Sequence, residues 1–286
     1  MKLLVAIPHY FKSEGDTRYG SGRQPVEVRS RHLLRTLLQL HQFFGRGASQ
    51  LDIANKKARF LDLNVSLEII ICVHENNHLL NHLQHYSSLF SAVQVDGNPK
   101  KLGFACHKVL GEREGYDRYL FLEDDLVIHD TEYFQKLDHV ESTFGPWALV
   151  QPHRFERGHN ALTRKCYIDG ALRKKILLPF TDPSRPDNLV LDWGHSQVHF
   201  EKALNPHSGS FCLSHEQWLL WKNSPHFKDQ DSSFIGPLES SASLSVMKSF
   251  EIYKTLAHQA HHFEIEHQGQ GFLSQVINGA LPLEEG

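Results

Sequence analysis

Tyr116-Asp117-Arg118-Tyr119-Leu120-Phe121-Leu122-Glu123-Asp124-Asp125-Leu126-Val127-Ile128-His129-Asp130 is the stretch on which the reading of this sequence turns. Tyr119 to Leu122 is a short aromatic and aliphatic run of the kind that forms a buried strand. Three carboxylates follow without a break, Glu123, Asp124 and Asp125, and then a second apolar run, Leu126 to Ile128. Adjacent like charges repel, and carboxylates beside a core lose solvation. A bound divalent cation answers both problems. The stretch therefore predicts a metal site at the carboxyl end of a central strand. A solvated turn after the strand is the plainer alternative.

The segments upstream alternate between strand and helix patterns. Lys2 to Pro8 is apolar enough to be a strand covered on both faces, with Pro8 as its stop. His9 to Gln24 is polar and glycine-rich and reads as a functional loop. Pro25 opens a helix carrying Leu33, Leu34, Leu37, Leu38 and Phe44 at helical spacing, closed by Gly45. Ser66 to Val73 is a β-branched strand, Leu79 to Phe90 a helix, Ala92 to Val95 a strand, and Leu102 to Glu112 a helix. Such alternation predicts an α/β fold with a mostly parallel sheet flanked by helices. Ligands of such sheets bind at the carboxyl ends of the strands. The first-strand loop and the three acids would then share one edge.

The second half is less regular. Thr131 to Ser142 suggests a helix, Trp147 to Val150 and Ser210 to Ser214 strands, and residues 152–210 are rich in turn formers. Pro237 opens a helix with Val246, Met247, Phe250 and Tyr253 at three-to-four spacing. The tail after Gly279 is polar and should fray.

Whole-chain properties narrow the class. At 286 residues with 40% hydrophobic content, the chain is long enough for one large domain or two fused halves. A formal net charge of −3 gives no support for general nucleic-acid binding. Cys72, Cys106, Cys166 and Cys212 are widely spaced and read as free thiols of a reducing compartment. The opening apolar run is too short for a signal peptide, and no run reaches the length of a transmembrane helix. These features predict a cytoplasmic protein.

The order of parts resembles the GT-A glycosyltransferases, which move a sugar from a nucleotide-diphosphate donor. Leu3 to Pro8 looks like their opening strand, and Asn98-Pro99-Lys100-Lys101-Leu102-Gly103 is similar to the segment before their metal motif. Phe121-Leu122-Glu123-Asp124-Asp125 looks like their DxD motif with Glu in the first place. The likeness is good over residues 1–130 and fainter beyond. It implies a donor-binding half at 1–130 and an acceptor-binding, catalytic half at 131–286. It also implies a metal-dependent transfer from a nucleotide-diphosphate sugar to the hydroxyl of a carbohydrate or other acceptor. In the second half, Gly236 to Ser240 and Phe263 to His267 stand where such enzymes often carry a catalytic acid and a late metal ligand.

Chemistry assigns candidate roles. A leaving nucleoside diphosphate gathers negative charge that a cation or arginine must neutralise. Hard oxygen ligands favour Mn²⁺ or Mg²⁺, held by Asp125 with Glu123, and His267 is a further candidate ligand. Asp124 belongs to the same donor site. Pro8, His9 and Tyr10, directly after the first strand, are candidates for lining the nucleotide pocket, against the alternative of packing at a strand end. Arg18, Arg23 and Lys101 are candidates for phosphate or base contacts, against the alternative of exposed loop charges. The acceptor hydroxyl needs a base in an inverting enzyme. Glu239 is the candidate, though an acid in a first helical turn is also favoured by the helix dipole. Asp231 and Asp229 are its rivals. His258, His261 and His262 would share a helical face and read as a solvated helix end rather than a zinc site. Other readings stay open: a nucleotidyltransferase, a histidine-based metallohydrolase, and a non-catalytic sugar-binding relative.

Overall fold

The computed structural model describes residues 1–12, 24–61, 63–158 and 164–282. In chain order the elements are β1 (Lys2–His9), α1 (Val26–Phe44), β2 (Ser49–Asp52), β3 (Lys57–Phe60), β4 (Ser66–Val73), β5 (Ser91–Gln94), α2 (Leu102–Glu112), β6 (Arg118–Leu122) and β7 (Leu126–Val127). There follow α3 (Tyr133–Phe144), β8 (Ala148–Val150), β9 (His153–Arg157), β10 (Lys165–Tyr167), α4 (Lys174–Leu177), β11 (Asn188–Trp193), β12 (Ser196–Lys202), β13 (Ser210–Ser214) and α5 (His215–Lys222). The last are α6 (Pro237–Glu239), α7 (Ser245–Met247), β14 (Glu251–Thr255), β15 (Glu264–His267) and α8 (Leu273–Ile277).

The architecture is α/β. The central sheet has the order β13-β6-β1-β4-β5, parallel throughout except for the edge strand β13. Strand β1 is sealed on both faces, and its alternation shows how. Leu3, Val5 and Ile7 join Ile69, Ile71, Leu120 and Leu122 under Leu33, Leu37, Leu40 and Phe44 of α1. Leu4 and Ala6 join Ile70, Tyr119 and Phe121 under Leu102, Cys106, Val109 and Leu110 of α2. On that second face Tyr119 stacks on Trp218 at 4.7 Å between ring centroids. The Trp218 indole N–H donates to the Leu110 carbonyl at the end of α2. An apolar run on both faces of a parallel strand is the expected pattern when helices cover the sheet.

Two further sheets build the second half, in the orders β10-β9-β15-β7 and β11-β12-β14-β8. Both mix parallel and antiparallel pairs. The halves interlock: β13 closes the central sheet against β6, and β7, just after the acids, pairs with β15.

Several local expectations are corrected. Strand β1 runs through Pro8 to His9. Beyond Ala6 it has left β6 and pairs only with β4, so the N–H that proline lacks costs the sheet little. The expected helix at 79–90 is a 3₁₀ segment, Leu80–Leu89, interrupted at Leu83. Leu83 is its one fully buried side chain, so tertiary packing does not enforce an α-helix there. A hairpin, β2 and β3, projects where no element was expected. The helix opened by Pro237 does not reach Tyr253. A π turn, Ser240–Leu244, lies within it, it ends at Met247, and Tyr253 belongs to β14. Ile252 and Tyr253 sit fully packed between β8 and β12, where aromatic and β-branched residues favour a strand.

Gly103 in α2 lies against this π turn. A Cβ built there would stand 1.9 Å from Ser241 Oγ and 2.7 Å from Ser241 Cβ. That hydroxyl is fixed by donating to the Leu238 carbonyl. Gly103→Ala should therefore destabilise the protein by about 1–3 kcal/mol through overpacking, although alanine in an exposed helix would gain up to ~1 kcal/mol. Urea denaturation would show a lower midpoint with an unchanged slope.

Candidate active site

The site forms where β1 and β6 end side by side. Residue His9 closes β1, and Glu123, Asp124 and Asp125 follow β6 directly. Helix α1 packs on this edge and presents Arg29, in phase with its buried stripe Leu33, Thr36, Leu37, Leu40 and Phe44. The Arg29 guanidinium forks between the two aspartates, Nη2 donating to Asp124 Oδ1 at 2.6 Å and Nη1 to Asp125 Oδ2 at 2.9 Å. Its side chain is 4% exposed.

His9 supplies the second restraint. The Leu79 N–H donates to His9 Nε2 at 3.0 Å, so the ring proton sits on Nδ1 and is donated to Asp124 Oδ2 at 2.5 Å. Both Asp124 oxygens are thereby engaged. Burial alone would raise the Asp124 carboxyl, but Arg29 and His9 outweigh it and hold the group well below the usual carboxylate range. Burial likewise opposes the Arg29 charge, and the two aspartates more than restore it. The backbone is tied down too. The Thr36 hydroxyl lies 2.9 Å from the Leu126 carbonyl, and the Gln268 N–H donates to the Asp125 carbonyl at 3.0 Å.

Glu123 differs from its neighbours. Burial pushes its carboxyl up to about 7, Arg154 pulls the other way, and the charges of Asp125 and Glu239 add to the rise. Arg154 Nη1 lies 4.0 Å from Glu123 Oε2. Gly209, at φ +63°, leaves the room this carboxyl occupies, since a Cβ there would stand 2.6 Å from Oε2. Behind Arg154 lies a buried network. Asp169 accepts from Arg154 Nε at 2.9 Å and from Lys254 Nζ at 2.9 Å. Lys254 also donates to the His207 carbonyl.

The second half delivers His267. The register His267↔Leu126 sets the imidazole beside Asp125, with Nε2 3.7 Å from Asp125 Oδ2. Its Nδ1 lies 2.9 Å from Glu156 Oε1. The other Glu156 oxygen accepts the backbone N–H groups of Phe272 and Leu273. Burial works against charge on His267, but Asp125 and Glu156 raise its pKa on balance.

Would these groups suit a divalent cation? Each Asp124 oxygen already accepts a hydrogen bond, Oδ1 from Arg29 and Oδ2 from His9. Asp125 and His267 do face each other, and a carboxylate on Nδ1 is the usual support of a metal-binding histidine, leaving Nε2 as the ligand. Among the described residues no three His, Cys, Asp or Glu side chains converge as a ready-made metal cage. The described residues thus offer one carboxylate and one facing imidazole, a set compatible with a hard divalent cation whose remaining ligands come from water or a bound oxyanion.

Glu239 ends the short helix α6, and its Oε2 is buried with no hydrogen-bond partner among the described residues. Asp231 lies in an ion pair with Lys248 at 2.7 Å, which also binds Asp229, and Lys248 draws the Asp231 carboxyl down to about 2. Lys101 reaches Gln230 on the same loop at 3.3 Å. Tyr10 is half-buried near His74. Arg18 and Arg23 lie outside the described residues. The histidines 258, 261 and 262 sit on or at the end of a 3₁₀ turn, and His262 packs its ring on Trp193. Sequence reasoning missed Arg29, Arg154, Glu156 and Asp169. Arg29 had a legible signal, since it is a charged residue four positions before Leu33 on the apolar stripe of α1.

No protein-family model matches the chain, and no curated protein matches it. Solved structures similar in outline include S. aureus TarS 1–349, with 11% identity over 97% of this chain and 63% of that one, TM-score 0.44. S. aureus TarS 1–349 in complex with UDP-GlcNAc aligns at 12% identity over 96% of this chain and 61% of that one, TM-score 0.42. GalNAc-T7 with UDP, GalNAc and Mn²⁺ aligns at 11% identity over 94% and 43%, TM-score 0.47. The chain spans less than two thirds of the length of each.

The buried Arg154–Asp169–Lys254 network yields a stability prediction. Asp169→Asn leaves two buried cations short of a partner and should cost about 3–5 kcal/mol at neutral pH. Burial raises the Asp169 carboxyl, but Lys254 and Arg154 outweigh it and hold it below its ordinary 3.8. Its contribution is thus complete above that value and lost as pH falls through the lower, folded one. Urea midpoints of the two proteins should differ most near neutrality and converge in strong acid.

Proposed function

We propose that this protein is a glycosyltransferase that moves a sugar from a nucleotide-diphosphate donor to an acceptor hydroxyl. One observation carries the reading. At the carboxyl ends of β1 and β6, an acid pair restrained by Arg29 and His9, Asp124 buried and Asp125 half-buried, faces the His267–Glu156 pair brought in by β15 and β9.

In this reading Asp125 and His267 are the residues that would hold a divalent cation beside the donor's diphosphate. When bound, that cation neutralises the charge that gathers on the leaving diphosphate. Asp124 does not bind it but fixes the frame of the edge through His9 and Arg29. The loop after β1, with Pro8, His9 and Tyr10 at its start, borders the nucleotide. Glu123, shared between its acid and carboxylate forms near neutral pH, hydrogen-bonds the donor sugar, and Arg154 limits the charge built up beside it. Glu239 is the acceptor's base, since it is free of ion pairs among the described residues, whereas Lys248 holds Asp231. The acceptor oxygen bonds to the anomeric carbon as the bond from that carbon to the phosphate oxygen breaks. The hydroxyl proton passes to Glu239, and the electron pair leaves with the diphosphate. Among the described residues no helix is long and apolar enough to cross a membrane. The four cysteines are unpaired, which suits a reducing compartment such as the cytoplasm.

The test is a thermal-shift panel of UDP, GDP, CDP and dTDP sugars with and without Mn²⁺. One donor class should stabilise the protein by about 2.7 kcal/mol at a hundredfold excess over Kd, and only with the cation. Asp125→Asn should lose this shift, and its survival would remove Asp125 from the donor site. Glu239→Gln should keep the shift while turnover falls about 10²–10⁴-fold. Undiminished turnover would return Glu239 to a structural place in its helical turn. Release of pyrophosphate from a nucleoside triphosphate, with no sugar transferred, would replace this function by nucleotidyl transfer.

A further inference from the structure

We propose that Arg29 is a charge clamp that keeps the acid edge from holding a divalent cation by itself, so that the cation stays only together with a nucleoside diphosphate. The proposal rests on the glycosyltransferase reading of the same edge.

Charge and donor count lead to it. Asp124 and Asp125 bring two negative charges, and the Arg29 fork returns one positive charge to within 2.9 Å of an oxygen of each. At 4% exposure the guanidinium does not exchange with solvent ions. Its Nε is buried and without a hydrogen bond among the described residues, so the aspartates are its polar anchorage there. The His9 Nδ1–H takes the remaining Asp124 oxygen. The two aspartates and Arg29 together carry a net charge of −1, and one imidazole nitrogen lies beside Asp125. A divalent cation entering alone would meet one carboxylate, one imidazole and a fixed guanidinium on that same carboxylate. It would keep most of its water shell, which Mg²⁺ and Mn²⁺ surrender reluctantly to so few ligands. A diphosphate supplies the missing hard oxygens and the missing negative charge together. Arg29 thus positions the two acids and also offsets their charge, and the second role follows from its cation rather than its shape.

Mn²⁺ binding, followed by loss of the free-ion electron paramagnetic resonance signal, tests this without an activity assay. Arg29→Gln should bind Mn²⁺ alone at least about tenfold more tightly than the wild type, because one nearby positive charge is gone. Arg29→Lys keeps the charge and should stay close to the wild type. With UDP, GDP, CDP and dTDP added in turn, one of them should tighten Mn²⁺ binding to the wild type, and this dependence should shrink in Arg29→Gln. Equal Mn²⁺ affinity of wild type and Arg29→Gln overturns the clamp. If Arg29→Gln does not fold by circular dichroism, the wild type decides the matter, since Mn²⁺ binding as tight without nucleotide as with it overturns the proposal. If no nucleotide affects Mn²⁺ but Arg29→Gln still gains affinity, the nucleotide-dependent part of the proposal falls with the donor reading and only the charge offset by Arg29 stands.

Discussion

One guanidinium makes the acid edge tenable. Three consecutive carboxylates at the end of a buried strand would repel one another and forfeit their hydration. The Arg29 fork gives two of them a common cation, and the His9 ring gives Asp124 a further donor. The rest of the fold is arranged to keep that contact. The parallel pairing of β1 with β6 puts His9 and Asp124 at one edge. The apolar stripe of α1 docks on the sheet and so fixes where its fourth residue points. Thr36 and Gln268 tie α1 to the acid turn and the tail of β15.

The second half answers the first through two buried relays. Glu156, with two backbone N–H groups on one oxygen, orients His267 toward Asp125. Asp169, between Arg154 and Lys254, holds a cation near Glu123 and leaves that carboxyl close to neutrality in its balance of acid and base forms. Three carboxylates that are neighbours in sequence thus have three environments. Asp124 is restrained, Asp125 is shared between a cation and a facing imidazole, and Glu123 is hydrophobically raised. Separation of pKa values among neighbouring acids is how a site divides labour among like groups.

The sequence was informative where one pattern had one structural meaning. The apolar run of β1, the helical spacing of α1 and the strand before the acids all imply helices over a parallel sheet, and the central sheet has that form. Glu123, Asp124, Asp125, His9 and His267 were singled out and stand at one edge. Legibility failed where meaning depends on partners far along the chain. Nothing local distinguishes Arg154 or Glu156 from any charge on a short strand; their burial follows from β9 pairing with β15 more than a hundred positions later, on the order of the separations that make such contacts unreadable from local pattern. Tyr253 kept helical phase with Val246 and Phe250 yet became a strand residue, because β8 and β12 offered it two partners. Asp231 and Glu239 look equivalent as acids in the sequence; Lys248, on the far side of the π turn, pairs with Asp231, while Glu239 Oε2 is buried without a hydrogen-bond partner among the described residues.

In the proposed site Asp125 and His267 would share a cation with a nucleotide while Asp124 stays with Arg29 and His9. Anomalous diffraction from crystals grown with Mn²⁺ and the nucleotide that stabilises the protein tests it most directly. A manganese peak bonded to an Asp125 oxygen and His267 Nε2, with phosphate oxygens completing its ligands, is the expected result. A peak bonded to Asp124, or one at the His258 to His262 turn, would contradict it.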